Sequence, residues 1–256
     1  MAAHRLLIAR KAKTPSAQLP EECRPTNLEE AIEIQSRVSL LLDEPVEGWK
    51  CSVPGPPVVA APIYASLIHS GPICPVLTAD GLARVEPEIA FVLARDVNPQ
   101  DRVYTAAEIA ESIGETRLVL EIIGGRYAEP DATSFPELLA DNLSNQGVFV
   151  GPRVDINPQL IPGDFPILVK DGQHTLIERH GRHPNGHPIR SFQALIRSLA
   201  QRGEAMKKGL LLITGSFAGV LEVPVERVLD FTFGQLGVLT AQFSRDTESG
   251  AEPEHR

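Results

Sequence analysis

Glu121 stands in the middle of the run Leu118-Val119-Leu120-Glu121-Ile122-Ile123, and that placement constrains the chain more than any other feature. A short apolar run of this kind reads as a strand buried on both faces. A carboxylate inside it costs several kcal/mol unless it is paired, protonated or bound to a cation. The segment ARVEPEIAFVLARDV is a second strand. Its alternation places Glu86 and Glu88 on one face, about 7 Å apart by the strand rise, and Val85, Ile89, Phe91 and Leu93 on the other. Ala90 and Val92 share the face of the carboxylates, which is therefore not a plain solvent face. Three such carboxylates close together raise one another's pKa unless a cation lies between them. An all-oxygen set suits a hard cation, so Mg²⁺ or Mn²⁺ fits better than zinc or copper. A competing reading pairs each glutamate with an arginine, and Arg84, Arg95, Arg117 and Arg126 are near in sequence. Spacing alone leaves both open, because order along the chain does not make two strands neighbours.

The remaining pattern reads as one β-rich α/β domain. Residues 1–26 form an N-terminal arm that is in part helical, 27–245 a single catalytic domain, and 246–256 a polar tail expected to be disordered. Thr26 or Asn27 caps a helix with Glu29 and Glu30 in its first turn and Ala31, Ile34, Val38 and Leu41 at helical spacing; Pro45 ends it. From Val46 to Pro75 proline and glycine are frequent, which predicts a loop that could cover a site. Thr105 and Glu108 make a capping box for a short helix, and ILVK-DG-QHTLIE reads as a hairpin turning at Asp171-Gly172. Ser191 is read as the cap of an amphipathic helix carrying Phe192, Leu195, Ile196 and Leu199, which Gly203 stops. The runs LLLIT, VLDFTF and VLTAQF supply further strands.

The formal charge of −9 argues against a nucleic-acid partner, since phosphate backbones are bound through lysine and arginine clusters. The apolar run in the opening MAAHRLLIARKAK is too short for a signal peptide, and no apolar stretch approaches the roughly 20 residues of a membrane helix. Cys23, Cys51 and Cys74 form no C-x-x-C pair, so reduced thiols and a cytoplasmic location are expected. His180, His183 and His187 imitate a metal-ligand spacing but lie in the turn-rich stretch RHGRHPNGHP and read as solvated loop residues. Thr214-Gly215-Ser216 and Gly234-Gln235-Leu236-Gly237 lack the spacing of a phosphate loop and read as turns. Lys50, beside the only tryptophan in GWKCS, could be a desolvated proton carrier; the residues alone favour an ordinary surface lysine stacked on the indole.

The order of motifs adds a resemblance. R-P-T-N-L-E-E-A-I-E-I-Q, G-W-K, A-P-I-Y, V-E-P-E-I-A-F-V-L, L-E-I-I-x-x-R-Y, A-D-N-x-S, G-H-P and L-L-I-T-G-S resemble the 2-keto-4-pentenoate hydratase and 4-oxalocrotonate decarboxylase family, within the fumarylacetoacetate hydrolase superfamily. The likeness runs from about Arg24 to Phe243. It implies a mixed-sheet β-roll with flanking helices, of the type of that superfamily's C-terminal domain. It implies Glu86, Glu88 and Glu121 as ligands of Mg²⁺ or Mn²⁺ and Lys50 as the catalytic lysine. Gly124, Gly125, Arg126 and Ser216 are implied on the substrate. The activity implied is hydration of 2-hydroxypenta-2,4-dienoate or a related 2-oxo acid in aromatic-compound catabolism, by a homo-oligomer, with a related pathway enzyme as a further partner. Alternatives are a 4-oxalocrotonate-type decarboxylase, an acylpyruvate C–C hydrolase and a non-catalytic partner subunit. Two departures bear on the choice. Gly124 and Gly125 stand where the family often has an acid and a serine, and the stretch after Lys50 lacks a carboxylate.

Overall fold

The computed structural model describes residues 1–52, 58–99 and 104–246. Its strands are β1 (Val46–Ser52), β2 (Val59–Tyr64), β3 (Ile68–His69), β4 (Ile73–Val76), β5 (Leu82–Leu93), β6 (Ile113–Ile123), β7 (Asn145–Val154), β8 (Asp164–Asp171), β9 (His174–Arg182), β10 (Leu211–Ile213), β11 (Leu221–Pro224), β12 (Val228–Phe233) and β13 (Gly237–Arg245). The helices are α1 (Ala2–Ala12), α2 (Leu28–Leu42), α3 (Ala106–Ala110), α4 (Phe135–Ala140) and α5 (Pro188–Gln201). One sheet runs β2-β1-β10-β5-β6-β7-β3, with β11 also on β5; the other runs β4-β13-β12-β8-β9. Both are mixed, since β1 with β10, β3 with β7 and β4 with β13 are parallel and the other pairs antiparallel. This is the mixed β-roll with flanking helices that the motifs imply.

The two faces of the large sheet differ in kind. Val85, Ile89, Phe91, Leu118 and Leu120 turn into the main core, where they meet Phe231, Phe233 and Phe243 of the second sheet and Phe192, Leu195, Ile196 and Leu199 of α5. The rings of Phe91 and Phe192 meet edge to face at 5.1 Å, a geometry aromatic quadrupoles favour. The opposite face carries a smaller apolar cluster of Ile63, Ala90, Val119, Val148, Leu211 and Ile213. The carboxylates rise from that second face, ringed by apolar neighbours.

Several local expectations hold. Asn27 caps α2 by accepting the Glu30 N–H, Thr105 and Glu108 form the capping box of α3, and β8 and β9 turn at Gly172 with φ +57°. The helical part of the arm, α1, buries Ala2, Ala3 and Leu6 in a cluster with α2 and α4.

Others are corrected. The stretch from Val46 to Pro75 is not a loop throughout: it holds β1, β2, β3 and β4, with Val59–Tyr64 wholly buried. Proline is tolerated there because β2 is an edge strand of its sheet, where a missing N–H breaks no ladder. Residues 53–57 of that stretch, and 247–256 of the tail, lie outside the described residues. The cap of α5 is His187, whose Nδ1 accepts the Ile189 N–H at 3.1 Å; Ser191 is buried inside the helix. His187 displaces serine in that role because Pro188, with no N–H to satisfy, suits the first turn and moves the start upstream. His183 is not solvated but buried, with its Nε2 2.9 Å from the Thr214 carbonyl oxygen. His180 stays exposed at the surface.

Candidate metal centre

Glu86 and Glu121 are direct cross-strand partners in the antiparallel pair β5–β6, and Glu88, two residues further on β5, faces Val119. Side chains opposite each other on such a pair share one face. The register therefore turns three separate sequence oddities into one cluster, whose carboxylate oxygens lie within 4.8 Å of one another. Glu88 and Glu121 are each only 1% exposed. None of the arginines proposed as rival partners forms an ion pair with the cluster: Arg84 lies 3.9 Å from Glu222 and acts on Glu86 only through its charge, Arg117 pairs with Glu115, Arg126 with Asp141, and Arg95 donates to the Glu108 carbonyl.

Lys50 is the cation that does reach the cluster. The parallel pairing of β1 with β10 aligns Lys50 with Ile213, and β10 in turn lies on β5. The ammonium group is bonded to Glu121 Oε1 and donates to the Leu143 carbonyl at 3.2 Å. It is buried, not a surface lysine stacked on Trp49, whose indole instead lies 5.5 Å under the Arg202 guanidinium. Two neutral donors complete the set: Asn145 Nδ2 donates to Glu121 Oε1 at 2.8 Å and the Gly215 N–H to Glu88 Oε2 at 2.6 Å. Gly215 makes that contact with φ +110°, a conformation reserved for glycine.

The wall that carries Leu143 is strained. Asn142, Leu143 and Ser144 have φ of +57°, +54° and +58°, three successive left-handed residues with side chains. Each costs about 1–2 kcal/mol, and such strain persists where the surroundings over-determine it. Here the turn aims the Leu143 carbonyl at Lys50 while the Ser144 carbonyl accepts the Gly124 N–H at 2.8 Å.

These groups line a cavity of about 300 Å³. Lys50, Cys51, Glu86, Glu88 and Glu121 form its polar part; Leu143, Pro184, Gly215, Ser216 and Gly219 close the rest. Ser216, expected at the substrate, thus lies on this cavity. Gly125 and Arg126 line a neighbouring cavity that shares no lining residue with it. Gly124 sits between: a Cβ there would lie 2.0 Å from Gln146 Nε2, so a carboxamide fills the space beside this glycine. Cys51, Leu143, Asn145, Pro184, Gly215 and Gly219 were not singled out from the sequence. Only Gly215 carried a signal, as part of a turn read as structural.

The electrostatics test whether a divalent ion fits. Burial first, and then the charge of Glu121, push the Glu86 carboxyl up to about 7 and hold Glu88 well above the usual range. For Lys50 burial is the largest single influence and favours the neutral amine, but Glu121, Glu86 and Glu88 together outweigh it and raise the pKa. Fully ionised, three carboxylates and one ammonium carry two negative charges in a site walled by apolar groups, and the raised carboxyl pKa values are the protein's response to that surplus. A doubly charged, oxygen-seeking cation matches that surplus.

The sign of the resulting pH dependence follows. A carboxyl with a raised folded pKa stabilises the metal-free protein below the unfolded value of about 4.5, and that stability is lost as pH rises through about 7 for Glu86. Metal binding must expel the same proton. The expected result is an apparent Mn²⁺ affinity that tightens at least about tenfold per pH unit below pH 7 and goes on tightening above it, because Glu88 is also held well above the usual range, with proton release measured by calorimetry in two buffers. A flat profile between pH 5.5 and 8 contradicts this assignment.

No family model matches the chain. Among curated proteins it is 31% identical over 138 residues to a 4-oxalocrotonate decarboxylase of a Pseudomonas species, covering 52% of this chain and 50% of that one. It is 28% identical over 167 residues to the TodF product hydratase of Pseudomonas putida, covering 63% and 59%. The matched stretches span half to three-fifths of these relatives' lengths. Among solved structures, 4-oxalocrotonate decarboxylase from Pseudomonas putida G7, complexed with magnesium and adipate, superposes with a TM-score of 0.77 at 16% identity over 95% of this chain and 96% of that one. Among the described residues no helix is long and apolar enough to cross a membrane.

Proposed function

We propose that this chain belongs to the 2-keto-4-pentenoate hydratase and 4-oxalocrotonate decarboxylase family of the fumarylacetoacetate hydrolase superfamily and hydrates 2-hydroxypenta-2,4-dienoate or a close relative. The observation that carries the reading is the meeting of Glu86, Glu88, Glu121 and Lys50 on one cavity. The three glutamates would hold Mg²⁺ or Mn²⁺, which when bound supplies a Lewis acid for a 2-oxo carboxylate.

The residues of the chain supply the rest. Lys50, charged and held by Glu121 and the Leu143 carbonyl, is placed to give a proton from Nζ to the terminal carbon of the dienol while the enol oxygen loses its own. The product of that transfer is an unsaturated 2-oxo acid with an electrophilic carbon 4. Water adds there, and a proton returned to carbon 3 completes 4-hydroxy-2-oxopentanoate. Leu143 and Pro184 supply apolar surface for the carbon chain of the substrate. Ser216, at the rim, is placed to hydrogen-bond the substrate's free end.

The lining also bears on substrate charge. Lys50 is the only cation among the described residues that line this cavity. A substrate with one carboxylate therefore fits better than one with two, because a second buried anion would meet no partner. The second reading, decarboxylation of a 4-oxalocrotonate-type diacid, is favoured by the other curated match. C–C bond hydrolysis needs a base to activate water, but no histidine lines this cavity among the described residues; His69 lines the neighbouring one.

The test is direct. With Mg²⁺ present, the ultraviolet absorbance of the dienol should disappear with formation of a 4-hydroxy-2-oxo acid. The diacid should release CO₂ at less than about a tenth of that rate, the discrimination an unpaired buried charge imposes. Faster CO₂ release than hydration would reverse the assignment.

A further inference from the structure

The neighbouring cavity, also of about 300 Å³, carries the opposite electrostatic imbalance. Arg126 and Arg10 both approach Asp141, whose side chain is fully buried. Arg126 uses its whole fork on the protein. Nε donates to Asp141 Oδ1 at 2.5 Å, Nη1 to the Gly124 and Asn145 carbonyls at 3.0 and 2.9 Å, and Nη2 to the Asp141 carbonyl at 2.7 Å. Arg10, from the last turn of α1, has nothing comparable. Its Nη2 stands 3.7 Å from Asp141 Oδ1, its guanidinium carbon 5.6 Å from the Tyr64 ring centroid, and its enclosed Nε has no hydrogen-bond partner. The side chain is only 12% exposed. Two guanidiniums thus share one carboxylate. Burial and then Arg126 pull the Arg10 pKa down to about 10; Asp141, Tyr64 and the more distant Glu44 oppose that.

The other charged groups facing the cavity do not cancel the surplus. Lys13 is paired with Asp246 at 2.7 Å, and burial favours the neutral form of His69. Leu67, Pro75, Leu77 and Pro15 give the cavity apolar wall beside the neutral polar Thr14, Ser66 and Gln146, so the space offers both guanidinium and apolar surface. That polarity suits an organic acid: a guanidinium fork matches a carboxylate in two parallel hydrogen bonds, and the apolar wall takes a short carbon chain.

We propose that this cavity, between α1 and the end of β6, is a second ligand site that binds a small organic carboxylate through Arg10. The site is coupled to the metal centre. Arg126, which shares Asp141 with Arg10, holds the Asn145 carbonyl, and the Asn145 side chain donates to Glu121. A carboxylate on Arg10 relieves its repulsion of Arg126 and firms that chain of contacts, so the bound acid acts as an effector of the glutamate cluster.

The test uses whole protein stripped of metal on a chelating resin, with butyrate as the probe. Without a cation the glutamate cavity offers an anion only Lys50, already bonded to Glu121, and the Arg10 variants tell binding there from binding at the second site whether or not the protein is a hydratase. Butyrate should bind with a millimolar Kd and more tightly than inorganic phosphate. Arg10→Gln should weaken it at least tenfold and Arg10→Lys less. Mn²⁺ affinity should rise with butyrate in the native protein and not in Arg10→Gln. A crystal soaked in butyrate should show its carboxylate against Arg10, a reading that needs no variant. Absence of binding, tighter binding of phosphate, no loss in a folded Arg10→Gln protein, or a carboxylate seated away from Arg10 would each overturn the site.

Discussion

Replacing Glu121 by glutamine should abolish metal-dependent turnover while leaving the fold in place. The substitution keeps the shape of the side chain but removes the anion that both neighbours answer to. Mn²⁺ affinity should fall about 100-fold or more and kcat/KM about 10³-fold, which corresponds to several kcal/mol of lost charge stabilisation. A second readout separates this from general damage. Glu121 raises the pKa of both Glu86 and Glu88, so in Glu121→Gln those two carboxyls should titrate at lower pH. Carbon-detected NMR of labelled glutamate side chains reads that shift. Retention of native metal affinity in the variant would mean that the three carboxylates do not act as one site.

Lys50→Met should have an effect of similar size on chemistry and the opposite sign on metal binding. Methionine keeps most of the stem volume, so the apolar surroundings survive. Loss of a positioned proton carrier typically costs about 10²–10⁴ in rate. The ammonium also competes with a metal ion for Glu121, to which it is bonded. Its removal should therefore leave Mn²⁺ affinity unchanged or tighter. In the metal-free protein, removal of one partner from a buried pair costs about 3–5 kcal/mol, so the Tm of the variant should drop and recover when Mn²⁺ is added. A lysine that merely filled space would show a modest rate loss and no such metal-dependent recovery. Parallel measurement of kcat, Kd for Mn²⁺ and Tm with and without the ion distinguishes the two.

The departures at Gly124 and Gly125 gain a physical meaning from the structure. Gly125 lines the Arg10 cavity and neither glycine lines the glutamate cavity, while Gln146 fills the space beside Gly124 and its Oε1 accepts the Leu77 N–H at 2.5 Å. The side chains missing there leave the lining of the metal centre unchanged, which weighs against the alternative of a non-catalytic subunit.

Legibility in the sequence followed the range of the interactions. Helix α2, the capping box of α3, the hairpin at Gly172 and strands β5 and β6 were readable because caps, turns and alternation act over a few residues. The strands between Val46 and Pro75 were not, because Pro62 and Pro75 in the edge strands β2 and β4, and the glycines and prolines around them, carry the local signals of loops, and the partners of these strands are set by sheet order. The burial of His183 was hidden for the same reason, since its partner, Thr214, lies 31 residues on.

The sequence by itself determined that Glu86 and Glu88 share a face and that Glu121 is buried among apolar neighbours, since both follow from the period of a strand. Tertiary structure alone decided that the three meet, through the register that sets Glu86 opposite Glu121. It also decided that Lys50 answers them, through a parallel pairing of β1 with a strand more than 150 residues away. Alternation is a property of the backbone and is written locally. Register and strand order are settled by the burial of whole faces, which no single segment encodes.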